Sequence, residues 1–420
     1  MRFLRRTTVI VPCLLFLLLE LGCGDQYRPI ANPIVGPGGQ PQTAHSAYVV
    51  NYNASGSGSN TKINVSGDTN VQVVTTGLGS ISEAFQGSVQ GAIFVANRDS
   101  DSVSEFAISS SGTATAIALY PGSRPVNLAA TTQAIMYVVN SGANSVCPST
   151  GSLSSINTTS LVATSTVCVG VNPGPIVQLP SGGKVYVANQ GDNSISVYNP
   201  TTLSISSTIT QANGLHHNPV ALVASSDGNF VFVVTRGNGS SPGALDIIYT
   251  GNDTIGGSVP LGLSPTFGFL DPRLNRLYVT NSGSNSVTVF DVSNVALGVN
   301  PAIPTLATVN VGSSPVGVTA LPNGLNFYVV NSISNDVSVV NATNFSVVAT
   351  VPVGTNPVFI ASEPTSTKVY TANSGSGNIS IIQTSNNTVT VNMPAPQQDP
   401  TCDPSVSSCP LQRPQMIITQ

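Results

Sequence analysis

The sequence predicts an all-β protein, a single ring of four-stranded antiparallel sheets, and three observations carry that reading. The first is composition. Only 7% of the 420 residues are charged, Gly (39) and Pro (30) are plentiful, and Trp is absent, where an average soluble chain is about 25% charged. This is the vocabulary of short strands and tight turns. The second is periodicity. After residue 22 no stretch sustains a helical pattern, whereas alternating runs such as Ser286–Asp291 occur throughout. The third is a repeat. An aromatic-Val-X-Asn anchor stands at Tyr48–Asn51, Phe94–Asn97, Tyr137–Asn140, Tyr186–Asn189, Tyr278–Asn281 and Tyr328–Asn331, with variants at Phe232–Thr235 and Tyr370–Asn373. Successive anchors lie 46, 43, 49, 46, 46, 50 and 42 residues apart, which is the period of propeller blades, about 40–50 residues.

Each period divides the same way. In the seventh, Pro315–Ala320 is a first strand, Pro322-Asn-Gly a turn, and Asn326–Asn331 the second strand. Ser332–Asn335 turns again, Asp336–Asn341 and Ser346–Val353 are the third and fourth strands, and Gly354–Pro357 leads onward. Such a sheet cannot bury both faces alone, but radial packing lets neighbours cover one another. The anchor aromatic and valines alternate faces and pack between sheets, and the Asn is expected to serve the following turn and to tolerate a left-handed conformation.

The Tyr278-Val-Thr-Asn281 anchor, the third strand Asn285–Asp291 and the Val-Gly-X-X-Pro linker resemble the YVTN-type β-propeller repeat of bacterial and archaeal surface proteins. The resemblance runs from about residue 48 to 394 and implies the fold; lactonase-like propellers are more distant relatives of that family, so it leaves room for an enzyme.

Eight anchors imply eight blades. The first period supplies only strands two to four, at Ala47–Asn51, Thr61–Val65 and Asn70–Thr75. An open edge would be a liability, and Pro414–Thr419 reads like the other inner strands. The C-terminus is therefore expected to close the first blade, within a propeller of residues 47–420. The alternative is a seven-bladed ring with the first period packed outside.

At the N-terminus, Arg2, Arg5 and Arg6 precede an apolar run from Val9 to Leu19 and then Gly22-Cys23. Basic, apolar and small residues in that order form a secretory signal over residues 1–22. It resembles a bacterial lipoprotein signal with Cys23 as the lipidated residue, although Glu20 departs from that pattern. Residues 23–46, rich in Pro, Gly and Gln, then form a lipid-attached extended tether. Export permits disulfides, and the four remaining cysteines pair as Cys147–Cys168 and Cys402–Cys409.

The formal net charge is −4 and Lys occurs only at 62, 184 and 368, so nucleic-acid binding has no electrostatic footing. No cofactor motif, phosphate loop, metal-ligand spacing or nucleophile elbow is present. Turns between strands two and three share one face of the ring with the crossovers between blades. Extra residues at Tyr52–Asn60, Ser141–Gly151, Gln211–Asn218 and Arg236–Gly243 all fall there, and only Ser293–Pro304 lies opposite. Loops are where binding residues gather. The candidates on that face are Tyr52, Arg98, Asp99, Asp101, Asp192, His216, His217 and Arg236. Asp99-Ser-Asp101 lacks the Gly and distal Glu of a calcium loop and reads as turn capping.

Three functions remain. The preferred one is an exported, lipid-anchored binding module at the bacterial cell envelope, facing the periplasm or cell surface, with an envelope protein or glycan as ligand. The second is a lactonase-like hydrolase at the channel mouth, using a cluster such as His216, Asp192 and Arg236. The third is a structural surface protein that self-associates.

Overall fold

A computed structural model describes residues 46–86, 91–109, 111–131, 134–238, 240–295, 303–399, 405 and 409–419. The signal segment, Cys23, the tether up to residue 45 and Cys402 lie outside the described residues, and with Cys402 the expected Cys402–Cys409 pairing.

Eight sheets form the ring, each with four antiparallel strands in sequential order from the channel outward. Blades 2 to 8 begin with the inner strands Ser80–Phe85, Pro125–Ala130, Pro173–Gln178, Pro219–Ala224, Pro265–Asp271, Pro315–Ala320 and Pro357–Ser362. Blade 1 takes its inner strand from the C-terminus. Arg413–Thr419 pairs antiparallel with Ser46–Tyr52, Tyr48 facing Ile418 and Asn51 facing Pro414. The eight inner strands touch their neighbours all the way round. The seven-bladed alternative is thus excluded. Blade 1 gains a short fifth strand, Gly112–Thr113, parallel to its outer edge. The expected insertion at Tyr52–Asn60 is smaller than the sequence suggested, because Ser57–Asn64 is already strand three.

The anchor aromatics Tyr48, Phe94, Tyr137, Tyr186, Phe232, Tyr278, Tyr328 and Tyr370 are buried between blades. Tyr48 meets Phe85 of blade 2 edge-on at 5.6 Å, and Tyr278 meets Phe327 of blade 7 at 4.8 Å. Each such ring contributes roughly 2–3 kcal/mol by burial, with the edge contact adding about 1 kcal/mol.

The anchor Asn does a different job from the one its sequence context suggests. Asn97 and Asn281 are extended, with φ of −112° and −116°. The Asn281 amide donates to Ser286 and Thr288 of strand three, and its oxygen accepts the Gly262 N–H of the crossover entering the blade. The left-handed residue comes four positions later, at Asp101, Asn193, Asn285 and Asn335. Its side chain reaches into the next blade and accepts the N–H before the inner strand: Asp101 from Arg124, Asn193 from Asn218, Asn285 from Ser314, and Asn335 from Asn356. Crossovers are therefore stapled from both sides.

This explains the linker glycine. It stands three residues before the inner-strand Pro or Ser at six of the eight junctions, Gly77, Gly122, Gly170, Gly262, Gly312 and Gly354. A Cβ on Gly262 would lie 2.8 Å from the Asn281 Cβ, and one on Gly354 would lie 2.7 Å from the Asn373 Cβ.

The opposite face has its own ties, and they account for all three lysines. Lys62 donates to Ile108 O of blade 2, Lys184 to Asp253 of blade 5, and Lys368 to Asp68 of blade 1. Tyr186 and Tyr328 donate in the same sense to Asp253 and Asn387. The last lysine reinforces the seam where the C-terminal strand closes the ring.

Candidate functional site

The crossover face is built from equivalent positions, so each candidate can be judged against its counterparts in other blades. The first residue after the anchor donates its N–H to the residue before the inner strand, as Arg98 does to Gly79, Arg236 to Asn218, and Ser282 to Ser264. These residues form a rim beside the inner-strand starts. Blades 3, 6, 7 and 8 carry Ser there (Ser141, Ser282, Ser332, Ser374), whereas blades 1, 2, 4 and 5 carry Tyr52, Arg98, Gln190 and Arg236.

Two of the candidate acids are staples. Asp101 accepts the N–H groups of Gly122 and Arg124, each at 2.7 Å. Asp192 stands where other blades carry Ser100, Ser284, Ser334 and Ser376; it accepts the Val171 N–H at 3.0 Å and the Ser194 hydroxyl at 2.8 Å. The proposed cluster of His216, Asp192 and Arg236 does not form around Asp192, because that carboxylate is used by its own junction.

The remaining candidates fall into two groups. In blades 1 and 2, the Arg98 guanidinium lies 6.0 Å from the centre of the Tyr52 ring and pairs with Asp99 at 3.1 Å; Arg124, at the blade 3 junction, reaches Asp99 at 3.7 Å. The loop above blade 3 is tied down by the Cys147–Cys168 disulfide, as expected. Exposed charges of this kind are screened and individually worth under about 1 kcal/mol, so they offer contacts rather than stability.

The second group lies at the entry to blade 5. His216 occupies the junction Gly position, three residues before Pro219. Its backbone N–H donates to Asp246 Oδ2 at 2.8 Å, and its Nδ1 lies 2.7 Å from Asp246 Oδ1. The Asp246 side chain is 0% exposed and the His216 side chain 51% exposed. His217 contacts the Gln211 amide at 2.8 Å from Nε2. The Gly237 N–H donates to the His217 carbonyl, and Arg236 Nε lies 3.4 Å from the Pro265 carbonyl of the next inner strand.

Sequence reasoning missed Asp246. It occupies a strand-three position that is Thr61, Ser104, Ser154, Ser196, Thr288, Ser338 or Ser380 elsewhere, so alignment of the third strands would have exposed it. Glu83 was missed too. It lies on the inner strand of blade 2, 1% exposed, accepting the Val50 N–H and the Asn60 amide of blade 1. Burial pushes its pKa up to about 8, the two donated hydrogen bonds pulling the other way.

The channel wall is nearly uncharged. The inner strands carry only Glu83, Asp271 and Arg413 as charged residues; Glu83 is used in the blade 1–2 seam and buried Asp271 accepts the Arg273 N–H. On the opposite face, a cavity of ≈ 190 Å³ between blades 5 and 6 is lined by Asp227, Phe230, Leu270 and Val292, among others. Its Asp227 carboxylate is taken up by Ser225 and Asn229, which hold its pKa below the usual value. Among the described residues there is no group of three His, Cys, Asp or Glu that could hold a metal, and no helix is long and apolar enough to cross a membrane.

No family model matches the chain, and no curated protein matches it. Solved structures do. A putative 6-phosphogluconolactonase from Bacteroides fragilis is similar with a TM-score of 0.58 at 13% identity, over 91% of this chain and 100% of that one. Apo AztD from Citrobacter koseri is similar with a TM-score of 0.58 at 11% identity, over 90% of this chain and 98% of that one. The hydrazine synthase of Kuenenia stuttgartiensis has a TM-score of 0.56 at 18% identity, over 73% of this chain and 96% of that one. At these identities the likeness concerns the fold alone; the chain itself is an all-β propeller of eight four-stranded blades, closed by its own C-terminal strand.

Proposed function

We propose that the protein is an exported, lipid-anchored binding module of the bacterial cell envelope, held to the membrane through Cys23 and contacting an envelope protein or glycan with its crossover face. One observation carries this reading. The large rim residues Tyr52, Arg98, Gln190 and Arg236 and the long loops of the crossover face all belong to blades 1–5, while blades 6–8, like blade 3, carry Ser at the rim. The signal-like segment ending in Gly22-Cys23 supports the anchored, exported placement.

The test is capture from native envelope extract by the immobilised chain from residue 24 onward. A specific partner should be retained by wild type and by an Asp227→Ala variant of the opposite face, and lost by an Arg98→Ala/Arg236→Ala variant. Retention by the rim variant would count against the crossover face. Fatty-acid labelling that survives Cys23→Ser would count against the anchor.

A second reading, hydrolysis of a lactone, is favoured by the buried Asp246 carboxylate holding a half-exposed imidazole. The structural similarity to a putative 6-phosphogluconolactonase is compatible with it. It departs from the sequence expectation in replacing Asp192 by Asp246.

A further inference from the structure

We infer that the junction entering blade 5 is a proton-transfer site, in which His216 is the catalytic base and Asp246 the positioning residue, acting on an uncharged ester of the lactone type. The inference rests on the hydrolytic reading and gives it a residue-level form.

Three departures from the repeat coincide here. The junction Gly is His216, the anchor Asn is Thr235, and the strand-three Ser or Thr is Asp246. They are coupled by packing. At Gly262 and Gly354 a Cβ would lie 2.8 and 2.7 Å from the Cβ of the anchor Asn. The shorter Thr235 turns its hydroxyl to the Ala244 carbonyl and makes room for a side chain at 216. Removing the Asn also removes the acceptor that serves the junction N–H in blade 6, and Asp246 Oδ2 replaces it. The other carboxylate oxygen is then aimed at the imidazole.

Fold stability does not call for this arrangement. A carboxylate at 0% exposure is costly to bury unless paired, and at the equivalent strand-three position the other blades carry Ser or Thr. Local rules broken together, with the breaks matched to one another, mark functional positions.

The chemistry follows from the two ring nitrogens. Asp246 accepts from Nδ1–H and so fixes the tautomer, leaving Nε2, the nitrogen remote from the carboxylate, as a lone-pair acceptor on a half-exposed ring. A water proton passes to Nε2 as the water oxygen bonds to the acyl carbon and the carbonyl electron pair moves onto its oxygen. When that pair returns, the ring C–O bond breaks and the leaving alkoxide takes the proton back from Nε2. One water is consumed and one hydroxy acid is formed. The Asp246 carboxylate stabilises the transient imidazolium. His217 lies on the same segment as His216, and Arg236 on the loop hydrogen-bonded to that segment.

The whole chain is assayed against a panel of γ- and δ-lactones of aldonic acids. Wild type should hydrolyse at least one. His216→Gly, which restores the repeat's own residue and should melt close to wild type, should lose about 10²-fold or more in kcat and regain part of it with added imidazole. Asp246→Asn should lower kcat with little change in KM, a split that a purely structural carboxylate would not produce. Hydrolysis by wild type that His216→Gly leaves unchanged overturns this assignment while the hydrolytic reading stands. Absence of hydrolysis across the panel overturns both.

Discussion

Blades 6–8 and blades 1–5 share one plan and use it differently. In blades 6–8 every junction follows the same rule: Gly beneath an Asn, a left-handed residue before Pro, and Ser at the rim. Blades 1–5 depart from it at several points, through Arg98, the disulfide-tied loop, Gln190, His216, Thr235, Arg236 and Asp246. The regular arc shows what the fold requires. Whatever the elaborated arc adds beyond that is open to function.

The largest test of this division is at the seam joining the two arcs. Deleting residues 411–420 removes the inner strand of blade 1, with Met416, Ile417 and Ile418 all buried. Loss of three such side chains should cost roughly 5–8 kcal/mol, read as a strongly lowered melting temperature. No change would mean the ring does not depend on this strand.

Glu83 lies at the next seam, between blades 1 and 2. Its folded pKa of about 8 stands above the ordinary value of 4.5, so the folded state holds a proton that the unfolded state releases. Between those values the unfolded chain binds fewer protons, and stability falls as pH rises. Glu83→Gln should abolish this slope and exceed wild type above pH 8, by on the order of a few kcal/mol. Parallel pH–stability curves for the two proteins would contradict the buried, protonated acid.

The Cys147–Cys168 disulfide lies in the elaborated arc. Reduction, or Cys147→Ser/Cys168→Ser, should cost about 3 kcal/mol in thermal unfolding and leave the rest of the ring folded. A smaller effect separates the two kinds of junction. Gly262→Ala places a Cβ against Asn281 and should cost roughly 1–3 kcal/mol, whereas His216→Gly removes a half-exposed ring and should change stability by less than that. Equal losses would erase the distinction between the arcs.

Much of this was legible in the sequence because the repeat writes each structural requirement eight times. The anchors gave the strands, their number gave the blades, and the missing inner strand pointed to the C-terminus. Cys147 and Cys168 could be paired because alternating strand direction puts both at one end of blade 3. What stayed hidden were contacts between blades. Asp192 looked like a free acid, and Asp101 like a cap of its own turn, because the N–H groups they accept belong to adjoining junctions some twenty residues away in the chain. Glu83 and Val50 are 33 residues apart and meet when blades 1 and 2 pack; Asp246 and His216 meet within blade 5 but lie 30 residues apart in the chain. The anchor Asn was misjudged for the same reason, since its partners lie in strand three and the incoming crossover rather than in the following turn.

The most direct test of the central claim is thermal unfolding of the triple variant His216→Gly/Thr235→Asn/Asp246→Ser, which gives blade 5 the junction residues of blade 7. If the elaborated junction serves function rather than fold, this variant melts at or above the wild-type temperature. A marked fall in its melting temperature would show that His216 and Asp246 are there to hold the ring together, and would contradict the account.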